Sequence, residues 1–150
     1  GPKMLEFLRL VGENPDRLAI AVHEYSGIVD EIALEYPFRV GRFLDLFTIA
    51  DQNGFSRPTV LVSEFGWAYD DIPPIEQALS HIDWAAELYA SFPQIKGAAV
   101  WNLGVGCCFA DISEQVQELV EPLALFNLTN YYVRPLSPAQ APTDPALYAP

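Results

Sequence analysis

Three short apolar runs recur along the chain, each bounded by Pro, Gly or Asn and separated from the next by residues at helical spacing. They are LAIAVHEYSG (Leu18 to Gly27), PTVLVSEFGWA (Pro58 to Ala68) and GAAVWNLGVG (Gly97 to Gly106). Near-continuous apolar character over so few residues predicts strands covered on both faces, as in parallel sheets. The stretches between them carry a period close to 3.6. Met4, Leu5, Leu8 and Val11 line one side of residues 4–13, and Phe43, Leu44 and Phe47 do so ahead of the breaker Asn53-Gly54. After Pro74, which suits a first helical turn, Ile75, Ala78, Leu79, Ile82, Ala86 and Tyr89 form a stripe. Asp111 and Glu114 have the spacing of a capping box, followed by Ile112, Val116, Leu119, Val120 and Leu123 as inward positions of a last helix.

The order is therefore helix-β-α-β-α-β-α, which is serial winding of βα units about a parallel sheet. Strands beginning near residues 18, 58 and 97 repeat at roughly 40 residues, and eight such units would make a barrel of about 320. The expectation is an α/β chain forming about three units of a TIM (β/α)8 barrel over residues 4–133. Residues 1–3, Gly1-Pro2-Lys3, resemble the remnant of a cleaved tag, and residues 134–150 read as a Pro- and Ala-rich tail or linker. Three strands cannot close a barrel, and a lone three-stranded parallel sheet leaves two unpaired edges. A missing barrel half or a second copy of the chain is expected to complete it.

Composition narrows the partners. Of 150 residues, 51% are hydrophobic, enough to bury a core. A formal charge of −12, from 8 basic and 20 acidic residues, argues against nucleic acid and against an anionic membrane surface. No apolar run reaches membrane-spanning length, and no signal peptide is visible, which leaves the compartment open. The two cysteines, Cys107 and Cys108, are adjacent, a poor geometry for a disulfide and too few for a zinc site. No Gly-rich phosphate loop follows any strand, so an unrelated nucleotide-binding α/β domain has no support. Neither a metal nor a cofactor is expected.

Polar residues gather where each apolar run ends: His23, Glu24 and Tyr25 on the first, Ser63 and Glu64 on the second, Trp101 and Asn102 on the third. In a (β/α) barrel the C-terminal strand ends form the active-site mouth. Glu64 stands out, because a carboxylate ending a buried strand is costly without donors to hold it. It reads either as a fixed catalytic carboxylate or as a helix cap or ion-pair partner. His23 and Tyr25, two apart, share one side of a strand, while Glu24 points the other way and is left out of the catalytic set. Trp101 reads equally as a strand-end aromatic packed in the core.

The motif VSEFGWA (residues 62–68) resembles the seventh-strand nucleophile motif of clan A glycoside hydrolases, the family 5 and family 39 types among them. VHEYSG (22–27) is similar to the clan's sixth-strand His-x-Tyr pattern, and VWNLG (100–104) to its eighth strand. The matches fall in the clan's order over residues 4–133. The resemblance implies retaining hydrolysis of β-glycosidic bonds in a carbohydrate, with Glu64 as nucleophile and Tyr25 hydrogen-bonded to it. It further implies that His23 lines the sugar subsite, that Trp101 lies under the sugar ring, and that Trp67 and Asn102 contribute to the subsite.

One element of the clan's pattern is absent. Its acid/base Glu lies in an Asn-Glu pair on the fourth strand, whereas here only the reversed Glu13-Asn14 occurs, after the first helix. Retaining chemistry needs two carboxyls. Two functions follow: a glycosidase whose acid/base comes from the rest of a complete barrel, or a non-catalytic barrel fragment that self-associates or binds a partner or sugar.

Overall fold

A computed structural model describes residues 2–27, 31–67, 72–101 and 110–132, with side chains from residue 116 onward in the last segment. The chain is α/β. Helix α1 (Pro2–Glu13) leads into strand β1 (Ile20–Ser26), and a single 3-10 turn (Ile32–Glu35) precedes helix α2 (Phe43–Gln52). Strand β2 (Val60–Trp67), helix α3 (Ile75–Ala90), strand β3 (Ile95–Val100) and helix α4 (Ala110–Thr129) follow. The three strands form one parallel sheet in the order β1-β2-β3, so β2 is central and, among the described residues, β1 and β3 are edges.

Several boundaries differ from the sequence reading. Strand β3 begins at Ile95 and ends at Val100, earlier than the run Gly97 to Gly106; residues 102–109 lie outside the described chain. Helix α1 starts at Pro2, and Pro74 is the N-cap of α3 rather than a residue of its first turn. Met4 and Val120, expected inward, are 63% and 45% exposed. The capping box of Asp111 and Glu114 falls on side chains outside the description, as do Cys107 and Cys108 and the tail of residues 134–150.

The core occupies one face of the sheet. Val60, Val62, Phe65 and Trp67 of β2 meet Phe43 and Phe47 of α2, Leu88 and Tyr89 of α3, and Phe92 and Ile95 beyond it. Phe43 is fully buried and lies edge-on to three rings: Phe47 at 5.4 Å, Tyr89 at 6.0 Å and Phe92 at 5.2 Å between centroids. Such aromatic contacts add about 0.5–1.5 kcal/mol each to what burial supplies. Gly12 lets α1 come close to the chain after α2, since a Cβ there would sit 2.1 Å from the Ser56 carbonyl oxygen.

The ladder contains a bulge that decides where the polar residues point. Val22 pairs with Val62, but His23 pairs with Glu64, so Ser63 has no partner on β1. On the other side Val62 pairs with Ala98 and Phe65 with Val100, setting two residues of β2 against one of β3. The apolar positions require this shift. Val60 and Val62 are two apart, Phe65 and Trp67 are two apart, yet Val62 and Phe65 are three apart. All four can face the helices only if one extra residue is inserted between them.

The helix layer is less filled over β3. A cleft of about 450 Å³ opens between β3, α3 and α4, lined by Ala86, Ala98, Val100, Leu123 and Phe126 among others. Ala98 is exposed there, whereas its partner Val62 on β2 is buried.

Candidate active site

Glu64 and its neighbours occupy the sheet face opposite the core, at the C-terminal ends of the strands. In β1 the even positions Glu24 and Ser26 are buried, while His23 and Tyr25 lie on the other side. In β2 the bulge brings Glu64 onto the side of His23, and Gly66 pairs with Tyr25. The Tyr25 hydroxyl donates to Glu64 Oε2 at 2.7 Å, and His23 Nδ1 lies 3.1 Å from the same oxygen. The Glu64 side chain is only 21% exposed, whereas that of His23 is 53% exposed. Both contacts fall on Oε2. Glu64 Oε1 has no hydrogen bond among the described residues.

Gly66 is a member of this group that the sequence reading missed. A Cβ at Gly66 would stand 3.2 Å from Cε1 and 3.4 Å from Cδ1 of Tyr25. The Tyr25 ring thus lies against bare backbone two residues beyond Glu64, from where its hydroxyl reaches back to the carboxylate. The signal was present: on a strand, a residue two after the carboxylate faces the same side.

Trp101 extends the group. Its backbone N–H donates to the Phe65 carbonyl at 2.9 Å, continuing the β2–β3 ladder, and the residue is 38% exposed. Val100 pairs with the core-facing Phe65, so alternation puts Trp101 on the Glu64 face. Trp67 does not join it. This residue is 4% exposed in the helix-facing core, edge-on to Phe65 at 5.8 Å, with its indole N–H donated to His81 Nδ1 at 2.9 Å. The expectation of a sugar-facing Trp67 is corrected: alternation puts residues 65 and 67 on the face opposite Glu64, and the bulge before Glu64 makes that face the core. Asn102 lies outside the described residues.

Glu24 occupies a different environment. It is fully buried on the helix face, and its Oε2 accepts from the Gly41 N–H at 2.9 Å and from the Tyr89 hydroxyl at 2.7 Å. Its Oε1 is buried with no hydrogen-bond partner. Loss of solvation pushes its carboxyl above the usual range, opposed by the Gly41 N–H, the Tyr89 hydroxyl and the N–H groups of Arg42 and Phe43 at the start of α2. Those last two act on the charge without reaching hydrogen-bond geometry. Burial, and then the neighbouring Glu24 carboxylate, push the Tyr89 phenol well upward.

The arrangement holds a carboxylate by one oxygen, with no hydrogen bond to the other among the described residues, beside an imidazole and on the same face as the partly exposed Trp101. Among the described residues no group of three His, Cys, Asp or Glu side chains could hold a metal ion. The 450 Å³ cleft is on the opposite side of the sheet and shares no residue with the Glu64 group. No family model, no curated protein and no solved structure matches the chain.

Proposed function

We propose that the chain carries the nucleophile side of a retaining β-glycosidase, within a (β/α)8 barrel whose remaining strands supply the acid/base carboxyl. The observation that carries this reading is the convergence of Tyr25 and His23 on a single oxygen of Glu64, at the C-terminal end of a parallel strand. Two contacts on Oε2 fix the carboxylate and leave Oε1 to attack an anomeric carbon. A bond from Oε1 to that carbon forms as the bond to the leaving oxygen breaks. The leaving oxygen takes its proton from the acid, and water then hydrolyses the glycosyl ester. The exposed Trp101 offers an aromatic face for a pyranose ring. Leu61, 43% exposed at the base of β2 and paired with Ala21 and Gly97, supports closure of the sheet into a barrel, because a filled barrel interior would cover it.

Covalent trapping tests the nucleophile separately from the acid. Dinitrophenyl 2-deoxy-2-fluoro-β-glycosides need no leaving-group protonation, so the chain incubated with a panel of sugar configurations is expected to gain the mass of one sugar on the peptide containing Glu64. Glu64→Gln should gain none. Absence of any adduct across the panel, with the chain folded, would overturn the reading. The same chain should not turn over ordinary aryl glycosides, since losing acid/base assistance costs about 10²–10⁴-fold.

A second reading has its own observation. Phe7 and Leu10 of α1 are 45% and 46% exposed, and Leu125 and Leu128 of α4 are 62% and 73% exposed. These apolar flanks fit association of two copies as well as closure by further βα units. Light scattering separates them: a mass twice 16.7 kDa in the micromolar range supports self-association, and a monodisperse single-chain mass refutes it.

A further inference from the structure

We infer that Glu24 is a positioning residue for the Glu64 site: its buried carboxylate fixes the end of β1 so that Tyr25 meets Glu64 from the opposite face of the sheet. The functional meaning rests on the proposed role of Glu64; the geometric claim does not.

The inference starts from what holds the end of β1. This strand is an edge with a described neighbour on one side only, and its two site residues, His23 and Tyr25, lie on the open face. From His23 onward, the side chains that enter the helix layer are Glu24 and Ser26, both fully buried and both polar. An apolar side chain would bury as well and would be held by packing from all directions alike. A carboxylate is held by directed bonds. Glu24 Oε2 takes one from the turn before α2, at Gly41, and one from α3, at Tyr89. Arg42 Nη1 adds a contact from the same turn to the His23 carbonyl at 3.3 Å. Three contacts from two elements, the turn before α2 and α3, thereby hold the peptide that joins His23 to Tyr25.

The turn is shaped to make this contact. Gly41 has φ +100°, and a Cβ there would stand 2.8 Å from the Tyr36 ring. Only glycine is comfortable in that conformation and that space, and it aims its N–H at the carboxylate. Stability does not account for the pair Glu24 and Tyr89. A buried charge with one orphan oxygen is expensive, and well-packed apolar replacements of such groups are often as stable or more so. What an apolar residue cannot supply is a fixed distance from β1 to α2 and α3. Tyr25 sits one residue along from Glu24, and its hydroxyl must reach Glu64 to within a few tenths of an ångström for a hydrogen bond to form.

The test reads the Tyr25–Glu64 contact directly, without any sugar. The carboxyl carbon of Glu64, assigned through Glu64→Gln, is followed by NMR in the full chain at neutral pH. Tyr25→Phe gives the shift for complete loss of the hydrogen bond. The Trp67 indole N–H, bonded to His81 on the core side, reports that the fold is intact. Glu24→Ala is expected to move the Glu64 signal most of the way to its Tyr25→Phe position while the Trp67 signal stays. Glu24→Gln, whose amide oxygen can still accept from both the Gly41 N–H and the Tyr89 hydroxyl, should restore it. If the Glu64 signal stays at its wild-type position in Glu24→Ala, the positioning role is refuted. Should Glu24→Ala lose the Trp67 signal, Tyr89→Phe decides: a smaller shift in the same direction supports the inference, and an unmoved Glu64 signal overturns it. Failure of the sugar-trapping experiment with these shifts intact would sink the glycosidase reading alone.

Discussion

Glu24 and Glu64 stand on adjacent strands at nearly the same height, and each accepts a tyrosine hydroxyl on its Oε2 at 2.7 Å. They nevertheless have opposite surroundings. Glu24 lies under α2 and α3 with no exposed surface, its partners being backbone and a phenol that are themselves buried. Glu64 keeps a fifth of its side chain exposed, beside an imidazole that is half exposed. The same pair of groups, Glu and Tyr, thus makes a structural tie on one face and a poised carboxylate on the other. Residue type does not separate the two roles; the parity of the strand position does.

That contrast can be broken most severely on the helix face. Phe43→Ala removes the ring that touches Phe47, Tyr89 and Phe92, and urea unfolding should show a loss of about 3–5 kcal/mol, as for other buried Phe truncations. A loss under about 1 kcal/mol would mean that the site collapses on itself far more readily than cores usually do. On the open face the effect should move from stability to reactivity. Tyr25→Phe removes a hydrogen bond to a carboxylate, a contact of about 1.5–3 kcal/mol, so trapping at Glu64 should slow roughly tenfold or more. The urea midpoint should fall less than in Phe43→Ala. A large drop in stability with unchanged trapping would reverse the assignment of the two faces.

Glu24→Gln sharpens the contrast through pH. The Glu24 carboxyl titrates higher in the fold than its ordinary value of 4.5. Below pH 4.5 it is protonated in both states, and its contribution to stability is fully present. As pH rises from there through the raised folded value, the unfolded chain ionises first, so that contribution is lost. Gln has no such titration, and its unfolding free energy relative to wild type should climb across that window and then level off. A flat difference curve from pH 4 to 8 would contradict the shift. The smallest expected effect is that of Gly66→Ala, whose Cβ would press on the Tyr25 ring at 3.2 Å and displace it slightly. Trapping should slow, but less than in Tyr25→Phe; a change as large as that of Tyr25→Phe would mean that the ring cannot give way at all.

Much of this arrangement was legible in the chain. The apolar runs and helical stripes predicted the parallel α/β order, and the two-residue spacing of His23 and Tyr25 put them on one side with Glu24 on the other. Trp67 is three positions after Glu64 and so falls on the opposite face by alternation. The spacing of Val62 and Phe65 carries the phase change that makes that face the core. The partners of Glu24 had no local signal. Tyr89 is 65 residues away along the chain, and Gly41 acts through its backbone. Nothing in the composition of either segment marks it as belonging to a carboxylate on β1. The loose layer over β3 was equally invisible, since Ala98 reads as an ordinary apolar strand residue and its exposure depends on how closely α4 approaches.

Ser63 has a consequence of another kind. Because it pairs with neither neighbouring strand, its deletion would leave Val60, Val62, Phe65 and Trp67 on the core side, and Leu61, Glu64 and Gly66 on the other. The β1–β2 register would become continuous, the separate β2–β3 shift between Val60 and Leu61 would remain, and no side chain would change sides. What would change is the local twist, and with it the direction in which Glu64 projects. Gain or loss of one codon at this position is thus an adjustment of aim that the hydrophobic core does not register, so a lineage could retune the carboxylate without rebuilding the sheet that carries it.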